Sequence, residues 1–247
     1  MPVTLVKSDP RRAKATTAPL HAPPKEGDFP SLDEAMMMLG FKPWPVSPIM
    51  QLPLEIREKI WGEVIKNEVG GEIRVRLFVN DPVARPRFLP ACIKVSKQIK
   101  REMTPVFIRL VNFRMDSIGD NQFLRRFLDS TNAGRKHVRE LQFDFFDCFR
   151  PGIPVNQDLK LACSCKGLKK LHVAFHWSRL KNQTVDYLVS RYLFEQLLDS
   201  KALTFFQIIP KGSLTVEEKA TATELVTWVK KQFAMKGREI ECKVLDS

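Results

Sequence analysis

The second half of the chain constrains the fold most strongly, because strand-like and helix-like segments alternate there to the end. The strand-like segments are LVNFRMDS, VRELQFDFF, LKKLHVAFHW, ALTFFQII and REIECKVL. Helical patterns lie between them near 120–129, 156–165, 185–199 and 215–235. Alternation of this kind predicts parallel strands joined by crossover helices, which defines an α/β fold. Three of the strand segments recur at intervals of roughly 30 to 33 residues, so we expect an irregular body that resembles a leucine-rich repeat.

A helical part precedes this body. Residues 52–65 read LPLEIREKIWGEVI, with a proline suited to the first helical turn and one broad apolar face. The segment EIRVRLFV then alternates like a strand, and a proline-rich loop leads to a second predicted helix at 91–107. That helix has an apolar stripe and, opposite to it, a basic stripe formed by Lys94, Lys97, Lys100 and Arg101.

The first 48 residues are predicted to form a separate tail. Residues 1–28 contain few large apolar groups and are expected to be disordered. Ser31 and Glu34 form a capping-box pattern that predicts a short helix at 31–40. The predicted organisation is therefore a tail at 1–48, a helical region with an inserted strand at 49–109 and an α/β body at 110–247.

Four motifs occur in an order that resembles the fungal F-box-like family. LPLEIREKIWGEVI is similar to its opening helix, and LPACIKVSKQIKREMTPVFIRLVNFRMDS is similar to its second block. FLRRFLDSTNAGRKHVRELQFDFF and LACSCKGLKKLHVAF are similar to the two blocks that follow. The resemblance implies a protein-interaction module without catalytic activity, and a substrate-recognition role in a cullin-type ubiquitin ligase. It also implies that the first helix docks a Skp-type adaptor through Leu52, Pro53, Ile56, Ile60, Trp61 and Val64. The alternative is that this helix is only the first piece of the core.

Charge supports a second function. The net charge is +12, and the segment from Arg74 to Arg114 contains ten Lys or Arg residues but only two acidic residues. Such a segment attracts anionic partners, and Phe88, Phe107 and Phe113 lie within it as candidate stacking groups for bases. The alternative interpretation is therefore a nucleic-acid-associated protein that binds through Lys94, Lys97, Lys100 and Arg101.

Motifs for catalysis, metals and membranes are weak or missing. Cys163, Cys165, His172 and His176 are ligand types that zinc accepts, but two histidines four residues apart on a strand lie about 13 Å apart. The sequence contains no P-loop, no dinucleotide fingerprint and no G-x-S-x-G motif, so we expect neither an enzyme nor a cofactor. Five cysteines without a disulfide framework indicate reduced thiols in the cytoplasm or nucleus. No apolar stretch approaches the length of a membrane span.

Overall fold

The computed structural model describes residues 47–78, 82–83, 85–149, 152, 154–212 and 215–245. The chain divides into two compact units, Met1–Gln51 and Leu52–Ser247. Within the first unit the described residues form a 3-10 helix at Pro48–Gln51. The predicted disordered tail and the predicted helix at 31–40 lie outside the described residues.

The second unit contains a six-stranded parallel sheet. Its strands are β1 (Glu72–Val75), β2 (Asn112–Met115), β3 (Glu140–Phe143), β4 (Lys170–His176), β5 (Phe205–Lys211) and β6 (Glu241–Val244). The strands lie side by side in chain order, and every adjacent pair is parallel. Each crossover therefore steps to the next position in the sheet, as in a solenoid. The predicted α/β class with parallel strands is confirmed, and β1 extends the sheet of the body into the predicted helical region.

Seven α-helices accompany the strands in the described part of the chain. They are α1 (Leu54–Val69), α2 (Lys97–Leu110), α3 (Ile118–Asp129), α4 (Gly134–His137), α5 (Gln157–Ser164), α6 (Val185–Tyr192) and α7 (Val216–Met235). Five of them begin at a side chain that accepts a hydrogen bond from the first turn, namely Ser96, Ser117, Asn156, Thr184 and Thr215. Such caps satisfy N–H groups that have no partner within the helix. The predicted capping box of Thr215 and Glu218 is present at the start of α7.

The core lies against one side of the sheet. Phe113, Leu141, Leu171 and Phe206 occupy one row across the strands and are fully buried. Two aromatic clusters extend this row on the helical side. One centres on Phe88, whose ring lies 5.1–6.4 Å from those of four other phenylalanines, and the other contains Phe146, Phe175, Tyr192 and Phe194. Burying one such ring stabilises the fold by about 1.5–3 kcal/mol.

Several element boundaries differ from the sequence prediction, and three of them show how the chain departs from it. Residues Ala91–Lys94 form a 3-10 helix, and α2 starts only at Lys97 because the Ser96 hydroxyl caps the N–H of Ile99. The predicted helix at 185–199 divides after Tyr192, where Leu193 adopts a left-handed backbone with φ of 58°. The predicted strand after α1 stops at Val75, since the N–H of Leu77 donates to the carboxylate of Asp120. None of the described helices is long and apolar enough to cross a membrane.

Candidate interaction surfaces

The structure divides the predicted adaptor-docking residues of α1 into an exposed and a buried part. Leu52 and Ile56 are 37% and 42% exposed, and Pro53 between them is also exposed. Ile60 and Val64 are half-buried, whereas Trp61 is 6% exposed. Trp61 therefore lies inside the fold and does not belong to an accessible surface. The accessible apolar residues lie in the first turn of α1 and just before it, and they are Leu52, Pro53, Leu54 and Ile56; we call them the exposed end of α1.

Contacts with α2 explain why Trp61 is buried. Its indole Nε1 donates to the carboxylate of Glu102 at 3.4 Å. Arg57 donates to both oxygens of the same carboxylate, at 2.8 and 2.9 Å. The hydrogen bond from Arg57 lowers the pKa of Glu102 below its ordinary value. Trp61 and Arg57 thus attach α1 to α2, and the residues before Arg57 are left outside this contact.

The side of the sheet opposite to the core carries polar side chains, with Phe205 as the exception in the rows given below. One row across the six strands consists of Arg74, Arg114, Gln142, His172, Gln207 and Lys243. The adjacent row on the same side consists of Glu72, Asn112, Glu140, Lys170, Phe205 and Glu241. We call these two rows the polar face. Repeat folds with parallel sheets commonly use such an extended surface for binding.

Hydrogen bonds hold the polar face in one arrangement. His172 lies between two partners, with Nε2 2.9 Å from a Glu140 carboxylate oxygen and Nδ1 2.8 Å from the Gln207 side-chain oxygen. Gln142 and Arg114 both donate to the carboxylate of Asp144, at the end of β3. The hydrogen bond from His172 lowers the pKa of Glu140, so this carboxylate stays ionised. A connected network of this kind fixes the side chains before any partner binds.

Large apolar side chains are exposed at the ends of the strands. Leu77 and Phe78 follow β1, Ile118 follows β2, and Phe145 follows β3. Trp177 directly follows β4, and Leu245 directly follows β6. Because the strands are parallel and adjacent, these residues all lie at the carboxyl edge of the sheet. We call them the apolar edge, and their exposed fractions are between 37% and 48%.

The surroundings of the apolar edge position its side chains. The Asp120 carboxylate accepts hydrogen bonds from the N–H groups of Leu77 and Asp116. Gly212, with φ of 88°, leaves room for Trp177, since a Cβ there would lie 3.2 Å from the indole. The guanidinium of Arg87 lies 4.8 Å from the centre of the Phe78 ring. Sequence reasoning missed this edge, although the apolar residue that follows five of the six strands was a visible signal.

A small cavity at this edge contains polar groups, and their geometry bears on catalysis. It measures about 310 Å³ and is lined by Phe145, Asp147, Cys148, His176, Ser178, Arg179 and Lys211. His176 Nδ1 lies 2.8 Å from the Ser178 hydroxyl, but the Asp147 carboxylate accepts from the backbone N–H of His176 and not from its ring. Burial and the nearby Asp147 raise the pKa of the Cys148 thiol. These side chains therefore stabilise a turn. They do not form the alignment of nucleophile, base and orienting acid that a catalytic triad requires.

The four cysteine and histidine residues with zinc-type chemistry have separate environments. Cys163 donates to the carbonyl of Gln196 at 3.0 Å, and burial raises the pKa of Cys163 to about 11. Burial raises the pKa of Cys165 to about 12. His172 belongs to the polar face, and His176 bonds to Ser178. Among the described residues, no group of three potential ligands could hold a metal ion.

The predicted basic residues surround cavities beside α2. Lys97, Lys100 and Arg101 line a cavity of about 580 Å³, and Lys94 lines an adjoining one of about 490 Å³ together with Lys97 and Lys100. The three candidate stacking groups of this segment are not available to bases. Phe107 and Phe113 are fully buried, and the half-buried Phe88 packs against them.

Comparison of the chain with protein-family models, with curated proteins and with solved structures finds no match.

Proposed function

We propose that this protein is a non-catalytic protein-recognition module of the F-box-like type. In this proposal the apolar edge and the adjoining polar face bind a substrate protein. The exposed end of α1 docks a Skp-type adaptor, which would make the chain a substrate-recognition subunit of a cullin-type ubiquitin ligase. The sequence resemblance supports the adaptor and the ligase role, whereas the geometry supports the substrate surface.

The observation that carries the proposal is the concentration of exposed apolar side chains at the carboxyl edge of the sheet. Thirteen large hydrophobic residues are exposed in the described part of the chain, and six of them form this edge. Contiguous exposed apolar residues rimmed by polar groups are typical of protein-binding surfaces. The polar face, whose side chains are already held by hydrogen bonds, supplies such a rim.

The exposed end of α1 supports the second half of the proposal. Leu52, Leu54 and Ile56 account for three more of the exposed apolar residues. They precede the part of α1 that Trp61 fixes to α2. An apolar helix end held on a rigid base suits docking into a hydrophobic groove of a partner.

The experiment is co-purification of full-length protein with a fungal Skp-type adaptor, followed by identification of the proteins that accompany it. Ile56→Asp is expected to abolish adaptor binding, and Phe145→Asp combined with Trp177→Asp is expected to abolish substrate binding. Loss of a binding hot spot costs about 2 kcal/mol or more, which corresponds to an affinity roughly thirtyfold lower. Tyr187→Asp is the matched control because Tyr187 is 50% exposed but lies on α6, outside both surfaces.

The variants separate the two halves of the proposal. All of the substituted residues are substantially exposed, so their melting temperatures should stay close to that of the wild type. If the wild type does not bind the adaptor, the ligase role is refuted. If accompanying proteins bind the edge variant and the Tyr187→Asp control equally well, the apolar edge is not the substrate surface.

A further inference from the structure

The cavity beside α2 has the size of a small-molecule site. It encloses about 580 Å³ between the first half of α2, the end of α3 and the segment that leads into α4. Ligand sites in proteins commonly measure about 300–1,000 Å³. The lining residues that matter for its chemistry are Lys97, Lys100, Arg101, Pro105 and His137. We call it the basic cavity.

Two of the cations that line the basic cavity, Lys97 and Arg101, have no acidic partner in the described part of the chain. No carboxylate is among its lining residues. The acidic residues of the neighbouring helices have other partners, since Glu102 binds Arg57, Glu58 binds Arg109 and Asp129 binds Arg135. Within the described ranges, neither Lys97 nor Arg101 forms an ion pair. The cavity therefore attracts anions.

The position of the cations on α2 strengthens this attraction. Lys97 and Lys100 lie in the first turn of the helix, and that turn contains no acidic residue. The start of a helix is the positive end of its dipole, where cations are unfavourable and anions are favourable. Across the cavity, burial and the charges of Arg109 and Arg139 lower the pKa of His137. A bound anion would relieve the unfavourable placement of Lys97 at the positive end of the helix.

The floor of the basic cavity indicates an organic ligand. Pro105 and Ala133 supply accessible apolar surface above the buried Phe127. The hydroxyl protons of Thr104, Ser130 and Thr131 are donated to backbone carbonyls, so these oxygens can accept hydrogen bonds from a ligand. A ligand that fits has one strongly anionic group, a body with hydroxyl or amino donors, and an apolar or planar face.

We propose that the basic cavity binds a small organic phosphate, of the size of a sugar phosphate or a mononucleotide. Lys97 and Arg101 bind the phosphate, and the body of the ligand lies on Pro105 and Ala133. A nucleic-acid polymer is a poorer fit, because the phenylalanines of this segment that could stack on bases are in the core. This proposal does not depend on the proposed role in protein recognition.

The test is isothermal titration calorimetry of the full-length protein with AMP, glucose 6-phosphate, adenosine, glucose, inorganic phosphate and a twelve-nucleotide single strand. At least one phosphate ester is expected to bind more tightly than its uncharged parent and more tightly than inorganic phosphate. Lys97→Gln combined with Arg101→Gln should weaken that binding at least tenfold. Lys230→Gln combined with Lys231→Gln removes the same charge from α7 and should leave it unchanged.

Several results would overturn the proposal. The first is that neither ester binds, and the second is that an ester and inorganic phosphate bind equally tightly. The third is that the control variant loses as much affinity for the ester as the double variant of the cavity does. Tighter binding of the oligonucleotide through the same two residues would favour the nucleic-acid alternative instead. Misfolding does not obscure the result, because Lys97 and Arg101 are exposed and the melting temperature of their double variant should not fall.

Discussion

Replacing Trp61 by alanine tests whether α1 is part of the core. The indole is 6% exposed and reaches Glu102, so its removal leaves a cavity between α1 and α2. Truncating a buried tryptophan to alanine costs about 3–5 kcal/mol. For a chain of this length, that loss lowers the melting temperature by about 6–20 °C. Ile56 is 42% exposed, so Ile56→Ala should cost only about 1 kcal/mol.

Urea unfolding followed by circular dichroism measures the loss in unfolding free energy for Trp61→Ala and for Ile56→Ala in the full-length protein. The two variants remove an apolar side chain from the same helix, so a difference between them reports burial and not helix propensity. Binding should show the opposite order, with Ile56→Ala weakening adaptor binding more than Trp61→Ala does at a temperature where both are folded. If Trp61→Ala costs no more stability than Ile56→Ala, α1 does not pack on α2 through its tryptophan, and the division of the helix is wrong.

Three further predictions concern pH and packing. The pKa of Glu140 is lowered by His172, so Glu140 adds stability above pH 4.5 that is lost as the pH falls through its folded value. The stability advantage of the wild type over Glu140→Gln, measured by urea unfolding, should therefore shrink as the pH falls below 4.5; a constant difference would contradict this. Burial raises the pKa of Asp158 from 3.8 to about 6, so Asp158 lowers the stability of the fold progressively between these pH values and fully above them. Asp158→Asn should be more stable than the wild type by about 1–3 kcal/mol at pH 8 and lose this advantage by pH 4, and equal stabilities at pH 8 would count against it. Gly134→Ala would place a Cβ closer than 3.0 Å to the carbonyl oxygen of Leu128, so thermal unfolding should show a loss of about 1–3 kcal/mol, and an unchanged melting temperature would refute the close approach.

The sequence by itself determined the fold class. Strand-like segments alternate with helix-like ones after residue 110, and a parallel strand can be reached only through a crossover, so the pattern leaves little choice of architecture. Local signals also located some boundaries, as at Thr215 and Glu218, because a capping box depends only on residues three positions apart. Other boundaries were wrong where a distant residue decided them. The strand β1 ends early because the carboxylate of Asp120, more than forty residues later in the chain, accepts a hydrogen bond from the N–H of Leu77.

Only the tertiary structure decided which residues are accessible. Periodicity placed Ile56 and Trp61 on the same face of one helix, yet α2 covers the tryptophan and leaves the isoleucine exposed. A one-dimensional pattern shows that a face is apolar but not how far along the helix a neighbour covers it. The basic cavity has the same origin, since Lys97 and His137 are forty positions apart in the chain and line one space in the fold. Side chains become neighbours through the packing of whole elements, and no local pattern in the sequence records that packing.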